Sequence, residues 1–333
     1  MSLATVIFTV SLAVCSAAAL PSPVWKTLIN ETSRLPKDFV VGSWDPTFWT
    51  GPSSPGTPAD FMAWGLKLKT AHPEFYATIN VKGELVKPGY IDEKHRGKYS
   101  IDYPILLRVT KKIADLKLMP TIGLFIHNFE TVSETGLMNF FKRYSQDLKY
   151  NNISSVILVV AWDIQGEWPA WEDGATRDCH IDPGVFSKQM RMIRNARDKS
   201  GAKNIVLGVA LASGFEDHNL NKNGDAGNAY VEGLRACDII GMNVYPTKVA
   251  GPRAAFVDAS KLWAAVGGNK PFAFFEYSIG DYDYVNKKPI IWSDNEKADF
   301  VKETYGLLSD YSFVKQIHWW FIGKGDGARI KYE

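Results

Sequence analysis

Beyond residue 36 the chain alternates two kinds of hydrophobic spacing. Short runs that are apolar or β-branched at nearly every position occur at Phe39–Trp44, Phe75–Val81, Pro120–His127, Val156–Trp162, Ile205–Ala212, Ile239–Tyr245, Phe272–Glu276 and Gln316–Phe321. Between them lie longer stretches with apolar residues three and four apart. Examples are Tyr103–Leu116, Leu137–Leu148, Phe186–Arg197, Ala254–Ala265 and Lys297–Leu308. The first spacing is that of strands buried on both faces, the second that of amphipathic helices. Strands without a polar face belong to parallel sheets covered by helices. Eight of them, each followed by a helix, predict an α/β chain closed into a single-domain (β/α)8 TIM barrel. An open doubly wound sheet is disfavoured, because Ser43-Trp44-Asp45-Pro46 follows the first strand where a Gly-rich phosphate loop would stand. Only about ten residues follow the last strand, too few for an eighth helix. The stretch Val24–Leu35 is a candidate to replace it from the N-terminal side.

The N-terminal residues have a different character. Leu3–Leu20 carries no charge and ends in Ala17-Ala18-Ala19, with Pro21 and Pro23 behind it. This is the pattern of a signal peptide over residues 1–19, leaving 20–333 as the barrel, although no Lys or Arg precedes the apolar stretch. No later run reaches the ~20 apolar residues of a spanning helix. The expectation is a secreted, extracellular protein with no membrane association after cleavage. Asn30-Glu31-Thr32 and Asn152-Ile153-Ser154 are sequons compatible with a glycoprotein. Cys15 leaves with the signal. Cys179 follows strand 4 at one end of the barrel, whereas Cys237 precedes strand 6 at the other. A strand of that length spans ~17–20 Å and a disulfide needs Cα atoms within about 7 Å, so two free thiols are expected.

Composition narrows the functional classes. With 46% apolar and 22% charged residues among 333, the chain is a folded protein and not a disordered one. Lys plus Arg is 38 against 36 for Asp plus Glu, so no basic footprint for nucleic acid exists. The six His are scattered, and neither His-x-x-x-His nor Cys-x-x-Cys occurs, so no metal or other cofactor is expected. No Gly-x-Ser-x-Gly elbow is present either. Eleven Trp and 14 Tyr suit stacking on flat ligands, or simply core filling. A monomer is expected.

Catalysis in such barrels sits at the C-terminal strand ends. Strand 1 ends in Trp44, strand 3 in His127, and strand 4 in Trp162-Asp163-Ile164-Gln165-Gly166-Glu167-Trp168, with Trp171 beyond. Strand 6 ends in Asn243-Val244-Tyr245, strand 7 in Glu276 and strand 8 in Trp319-Trp320. Carboxylates therefore stand at the ends of strands 4 and 7, ringed by indoles and phenols. Two carboxylates across a cleft are what glycosidic hydrolysis uses, one donating a proton and the other attacking the anomeric carbon. Glu276 on one side and Asp163 or Glu167 on the other are the candidate catalytic carboxylates. Trp44, His127, Trp168, Trp171, Asn243, Tyr245 and Trp320 are candidate sugar contacts. Alternation along the strands puts Asp163 on the face of Ala161 and Val159, and Glu276 on the face of Phe274 and Phe272.

These strand ends resemble the large retaining glycoside hydrolase clan, which carries its acid/base on strand 4 and its nucleophile on strand 7. They are most similar to glycoside hydrolase family 26, the endo-β-mannanases and relatives. Asp163, Gly166, Trp168 and Trp171 hold the spacing of that family's acid/base motif. The segment from Asp238 to Tyr245 is similar to the clan's strand 6, whose Tyr touches the nucleophile, and Lys270 to Glu276 to its strand 7. The resemblance covers roughly residues 120–323 and implies a retaining endo-glycosidase of a β-linked polysaccharide, with β-mannan favoured over β-glucan or β-xylan. Two departures stand out: Asp163 replaces the expected Glu, and Trp162 precedes it in place of His. The exchange leaves Glu167 as the rival donor, with Asp163 preferred. It also leaves a second reading: a carbohydrate-binding barrel with impaired catalysis.

Overall fold

The computed structural model describes residues 23–44, 58–86, 102–126, 132–162, 167–168, 177–178, 182–212, 224–280, 282–283 and 288–320. Eight parallel strands close on one another. They are β1 (Val40–Trp44), β2 (Thr70–His72, resuming as Glu74–Ile79), β3 (Met119–Ile126), β4 (Val156–Trp162), β5 (Ile205–Ala212), β6 (Ile239–Val244), β7 (Phe272–Tyr277) and β8 (Val314–Trp320). Each pairs with its neighbours in chain order, and β8 returns to β1 with Val40 opposite Gln316 and Trp44 opposite Trp320. The expected (β/α)8 barrel is the observed fold.

Strand 2 departs most from its predicted span. It starts at Thr70, not Phe75, because Pro73 interrupts the strand without ending it. Proline lacks the N–H a ladder needs, yet its carbonyl still accepts from Gly123 N at 2.9 Å, and both pieces pair with β3. His72 and Glu74 thereby become wall residues of the barrel.

The helices are α1 (Pro23–Arg34), α2 (Pro58–Ala63), α3 (Tyr103–Asp115), α4 (Glu134–Tyr150), α5 (Pro183–Lys199), α6 (Gly224–Arg235), α7 (Gly251–Ala265) and α8 (Asp294–Leu307). Several begin up to three residues before their apolar periodicity does, because a polar cap supplies the first turn. Ser133 Oγ accepts from Gly136 N at 3.0 Å, and Asp182 Oδ1 from Val185 N at 2.9 Å with Pro183 at the first helical position. Ser293 and Glu296 form a reciprocal capping box ahead of α8. None of the helices among the described residues is long and apolar enough to cross a membrane.

The N-terminal helix takes the place expected of it. α1 packs on α8, where Thr32 Oγ1 and Tyr305 OH lie 2.8 Å apart. Tyr305 stacks on Trp319 of β8, and the Trp319 indole N–H donates to its hydroxyl at 3.0 Å. On its other flank Trp25 of α1 meets Phe61 of α2, ring centroids 5.3 Å apart. The ring of helices thus closes over the junction of β8 and β1 with a segment from the start of the chain.

Two hydrophobic layers follow from strand alternation. The outer one lies between strands and helices and is rich in aromatics, such as Phe256 against Phe274 at 5.1 Å and Tyr277 against Phe300 at 5.8 Å. The inner one fills part of the lumen with Ile157, Val159, Trp162, Ala210, Ile239, Ala273 and Phe275. Its apolar volume is smaller than eight strands could supply, because the rest of the lumen is polar.

Candidate active site

Glu276 sits near the C-terminal end of β7 and is 1% exposed. Simple alternation would turn it toward the helices with Phe272 and Phe274, which do lie in the outer layer. The structure corrects that expectation. Against β6 the register runs Met242 to Phe274 and then Asn243 to Glu276; against β8 it runs Phe274 to Ile317 and then Tyr277 to Trp319. Phe275 has no partner in either register, so it is the extra residue of a β-bulge, and bulges re-aim the side chains beside them. Phe275 fills the lumen, Glu276 turns inward after it, and Tyr277 faces out to Thr304, their hydroxyls 3.1 Å apart.

β4 carries a similar shift between Val159 and Trp162. Val159 and Trp162 both face the lumen while Ala161 joins the outer layer, so the expected shared face of Val159 and Ala161 is not formed.

Two donors hold the carboxyl group of Glu276. Asn243 lies on β6 in register with Glu276, and its Nδ2 donates to Oε1 at 3.0 Å. The half-buried Tyr245, just beyond the strand, donates its hydroxyl to Oε2. Both carboxyl oxygens thus accept a hydrogen bond. Tyr245 is itself held by the segment that follows β7: Ser278 N donates to Val244 O at 3.4 Å and Gly280 N to Pro246 O at 2.8 Å. A Cβ on Gly280 would stand 2.4 Å from Tyr245 O, so only glycine lets the two segments approach this closely.

Beneath Glu276 the lumen holds a layer of rings. His72, His318 and Phe275 contact one another edge-on, with centroids 5.0 to 5.7 Å apart. His72 Nδ1 lies 3.1 Å from the Phe275 carbonyl, and its Nε2 lies 3.8 Å from Glu74 Oε1. Burial pushes the His72 imidazole down to about 4, against the smaller opposing pulls of the Phe275 carbonyl and the Glu276 charge. Burial, with the neighbouring His72, holds His318 well below the usual histidine range. Gln316 contacts His318 and donates to Thr121 Oγ1 at 3.3 Å, which lies 2.8 Å from Thr70 Oγ1. Glycines on the facing strands make room. A Cβ at Gly42 would stand 3.1 Å from His318, at Gly123 3.1 Å from His72, and at Gly241 2.6 Å from the Phe275 ring.

Glu276, Asn243 and Tyr245 are thus brought together. Trp44 and Trp320 end adjacent strands in register at the same mouth. Glu167 and Trp168 form a two-residue strand antiparallel to Arg177–Asp178, with Glu167 opposite Asp178. Asp163, His127 and Trp171 lie outside the described residues, as do residues 1–19 and Cys179. Cys237 is a buried free thiol at the foot of β6. No group of His, Cys, Asp and Glu that could hold a metal occurs among the described residues. His72 and Glu74 lie outside the strand that the sequence predicts. Their signal is the alternation of Thr70, His72 and Glu74 with Ala71 and Phe75, which Pro73 obscures.

No protein-family model matches the chain, and no curated protein matches it. Solved structures do. A GH113 β-1,4-mannanase superposes with a TM-score of 0.50 at 12% identity, over 85% of this chain and 87% of that one. A GH26 β-mannanase from Bacteroides ovatus gives 0.50 at 12% identity, over 94% of this chain and 88% of its own. The likeness is one of fold: this chain shares the (β/α)8 barrel of these two mannanases.

Proposed function

We propose that this protein is a glycosidase of β-linked polysaccharides, with Glu276 as its nucleophile. One observation carries the reading: a β-bulge turns a buried carboxyl group inward near the C-terminal end of β7, where Asn243 and Tyr245 each donate to one of its oxygens. Asn243 and Tyr245 are neutral donors that fix the orientation of the carboxyl group. The two mannanases of the same fold add support for a polysaccharide as the substrate.

In the retaining reading, a Glu276 oxygen attacks the anomeric carbon as the glycosidic bond breaks. The leaving oxygen takes a proton from Asp163, or from Glu167. The glycosyl ester then gives way to water, which returns a proton to the same donor. Asn243 and Tyr245 fix the direction of attack, which is where much of the gain from positioning lies. The substrate favoured is β-mannan, cleaved internally by a monomer outside the cell after loss of residues 1–19.

The test is release of reducing ends from mannan, xylan and β-1,3/1,4-glucan, with Glu276→Gln as control. Release abolished by the substitution supports the reading. Glycan binding without release from any of them favours the binding barrel that the Asp163 exchange suggests. The donor is identified with a substrate bearing an activated phenolic leaving group, which departs with little protonation. The variant at the true donor spares that substrate, loses polysaccharide cleavage, and regains turnover with azide. Asp163→Ala is expected to behave so and Glu167→Ala is not.

A further inference from the structure

The bulge that turns Glu276 inward is braced from within the lumen by a residue of β2. Phe275, the residue without a register partner on either side, has its carbonyl 3.1 Å from Nδ1 of His72 on β2. A carbonyl only accepts, so Nδ1 carries the proton, and the buried neutral ring leaves its lone pair on Nε2, facing Glu74. The contact is built, not incidental. The His72 ring is wedged edge-on between His318 and Phe275, and Gly123 on β3 supplies the space at its back. A Cβ on Gly241 would strike the Phe275 ring from the other side, so Phe275 too is fitted to a gap left for it. Bulges cost a local break in the ladder; here a side chain from β2 clasps the residue that the break sets loose.

We propose that His72 is a positioning residue for Glu276: its Nδ1–H, clasping the Phe275 carbonyl, holds the bulge that points the carboxyl group inward to Asn243 and Tyr245. The proposal rests on Glu276 being the reacting carboxylate. His72 touches neither substrate nor the carboxyl oxygens in this role. It acts through one peptide unit, and a displacement of the carboxyl by about 1 Å is enough to cost about a hundredfold in rate.

Three variants test it. His72→Asn keeps an N–H near the position of Nδ1, His72→Gln moves the amide to the position of Nε2, and His72→Leu fills the space without a donor. With His72→Leu and His72→Gln, kcat on the polysaccharide should fall roughly 10- to 100-fold with KM within about twofold of wild type. His72→Asn should keep kcat within about threefold. Crystal structures of the same variants should show the hydrogen bond from Asn243 to Glu276 broken or lengthened with Leu and intact with Asn. Equal kcat for all three, with Glu276 unmoved, overturns the proposal. If His72→Leu does not fold, the Asn and Gln pair decides by the same measurements. If the wild-type protein cleaves none of the polysaccharides, the glycosidase reading falls alone, and the position of Glu276 in the variant structures still decides whether His72 sets it.

Discussion

The lumen of this barrel has two unlike walls. On the side of β3 to β6 it is lined by Phe125, Ile157, Val159, Trp162, Ala210 and Ile239, a cluster of interlocking hydrophobic side chains. On the side of β8, β1 and β2 it is lined by Gln316, His318, Thr70, His72 and Glu74, with Glu276 arriving above them from β7. The apolar wall is held by volume, and volume can be met by many side chains. The polar wall is held by pairings that need a donor and an acceptor at one place, and an orphaned group there costs the full penalty of desolvation. The candidate chemistry lies where the second wall meets the mouth, so the region most expensive to keep folded is also the one that orients the reacting group.

That contrast can be broken most forcefully at Glu276. Replacing it by Gln keeps the shape and removes the charge, so polysaccharide cleavage should fall by about a thousandfold or more. Thermal melting should show a midpoint unchanged or raised, since a buried charge is lost. A large drop in midpoint would mean that the polar wall serves stability first.

The next largest effect is acid sensitivity. His72 is held near 4 when folded and titrates near 6.5 when unfolded. Between those values the unfolded chain takes up a proton that the folded one refuses, so stability is full above about 6.5 and is lost as the pH falls toward 4. The depression corresponds to about 3 kcal/mol, with His318 adding in the same direction. The groups facing His72 are Glu74 on its own strand, Glu276 from β7 and His318 from β8. Urea midpoints at pH 7 and pH 4 should converge in His72→Asn relative to wild type. Equal acid loss in both would place the sensitivity elsewhere.

Smaller still is the effect of Asn243→Ala, which takes one donor from Oε1 of Glu276. A hydrogen bond to a charged group contributes about 1.5–3 kcal/mol, so kcat should fall roughly 10- to 100-fold with little change in KM. At the small end stands Ile157→Val in the apolar wall. It should cost about 0.5–1.5 kcal/mol in denaturant unfolding and leave cleavage at the wild-type rate. A loss of activity there comparable with that of Asn243→Ala would erase the distinction between the walls.

What can be read from the chain follows the same division. The predicted spans of β4 and β5 match the observed ones to the residue, because apolar runs of 7 and 8 residues rich in Val and Ile are the length of buried strands and too short for buried helices. Glu276 and Asn243 are legible as polar residues closing such runs. The side to which Glu276 points is not, since the bulge arises from the register with β6 and β8 together and no local pattern encodes it. His72 and Glu74 escape because proline ordinarily ends a strand, and only pairing with β3 carries this one across Pro73. α6 is hidden because Gly224, Gly227 and Gly233 dilute its periodicity.

The packing of α1 on α8 beside β8 also has a temporal side. The contact between Thr32 and Tyr305 joins residues 273 positions apart. On a ribosome adding about 5–20 residues each second, α1 therefore emerges roughly 15–55 s before its partner. Throughout that interval Val24, Trp25 and Leu28 form an apolar stripe with α8 and β8 still unmade. Closure of the last gap is thus postponed until α8 and β8 have been made, a contact of the high order that slows folding. The nascent chain must keep that stripe from sticking to others until the strand it is meant to cover has been made.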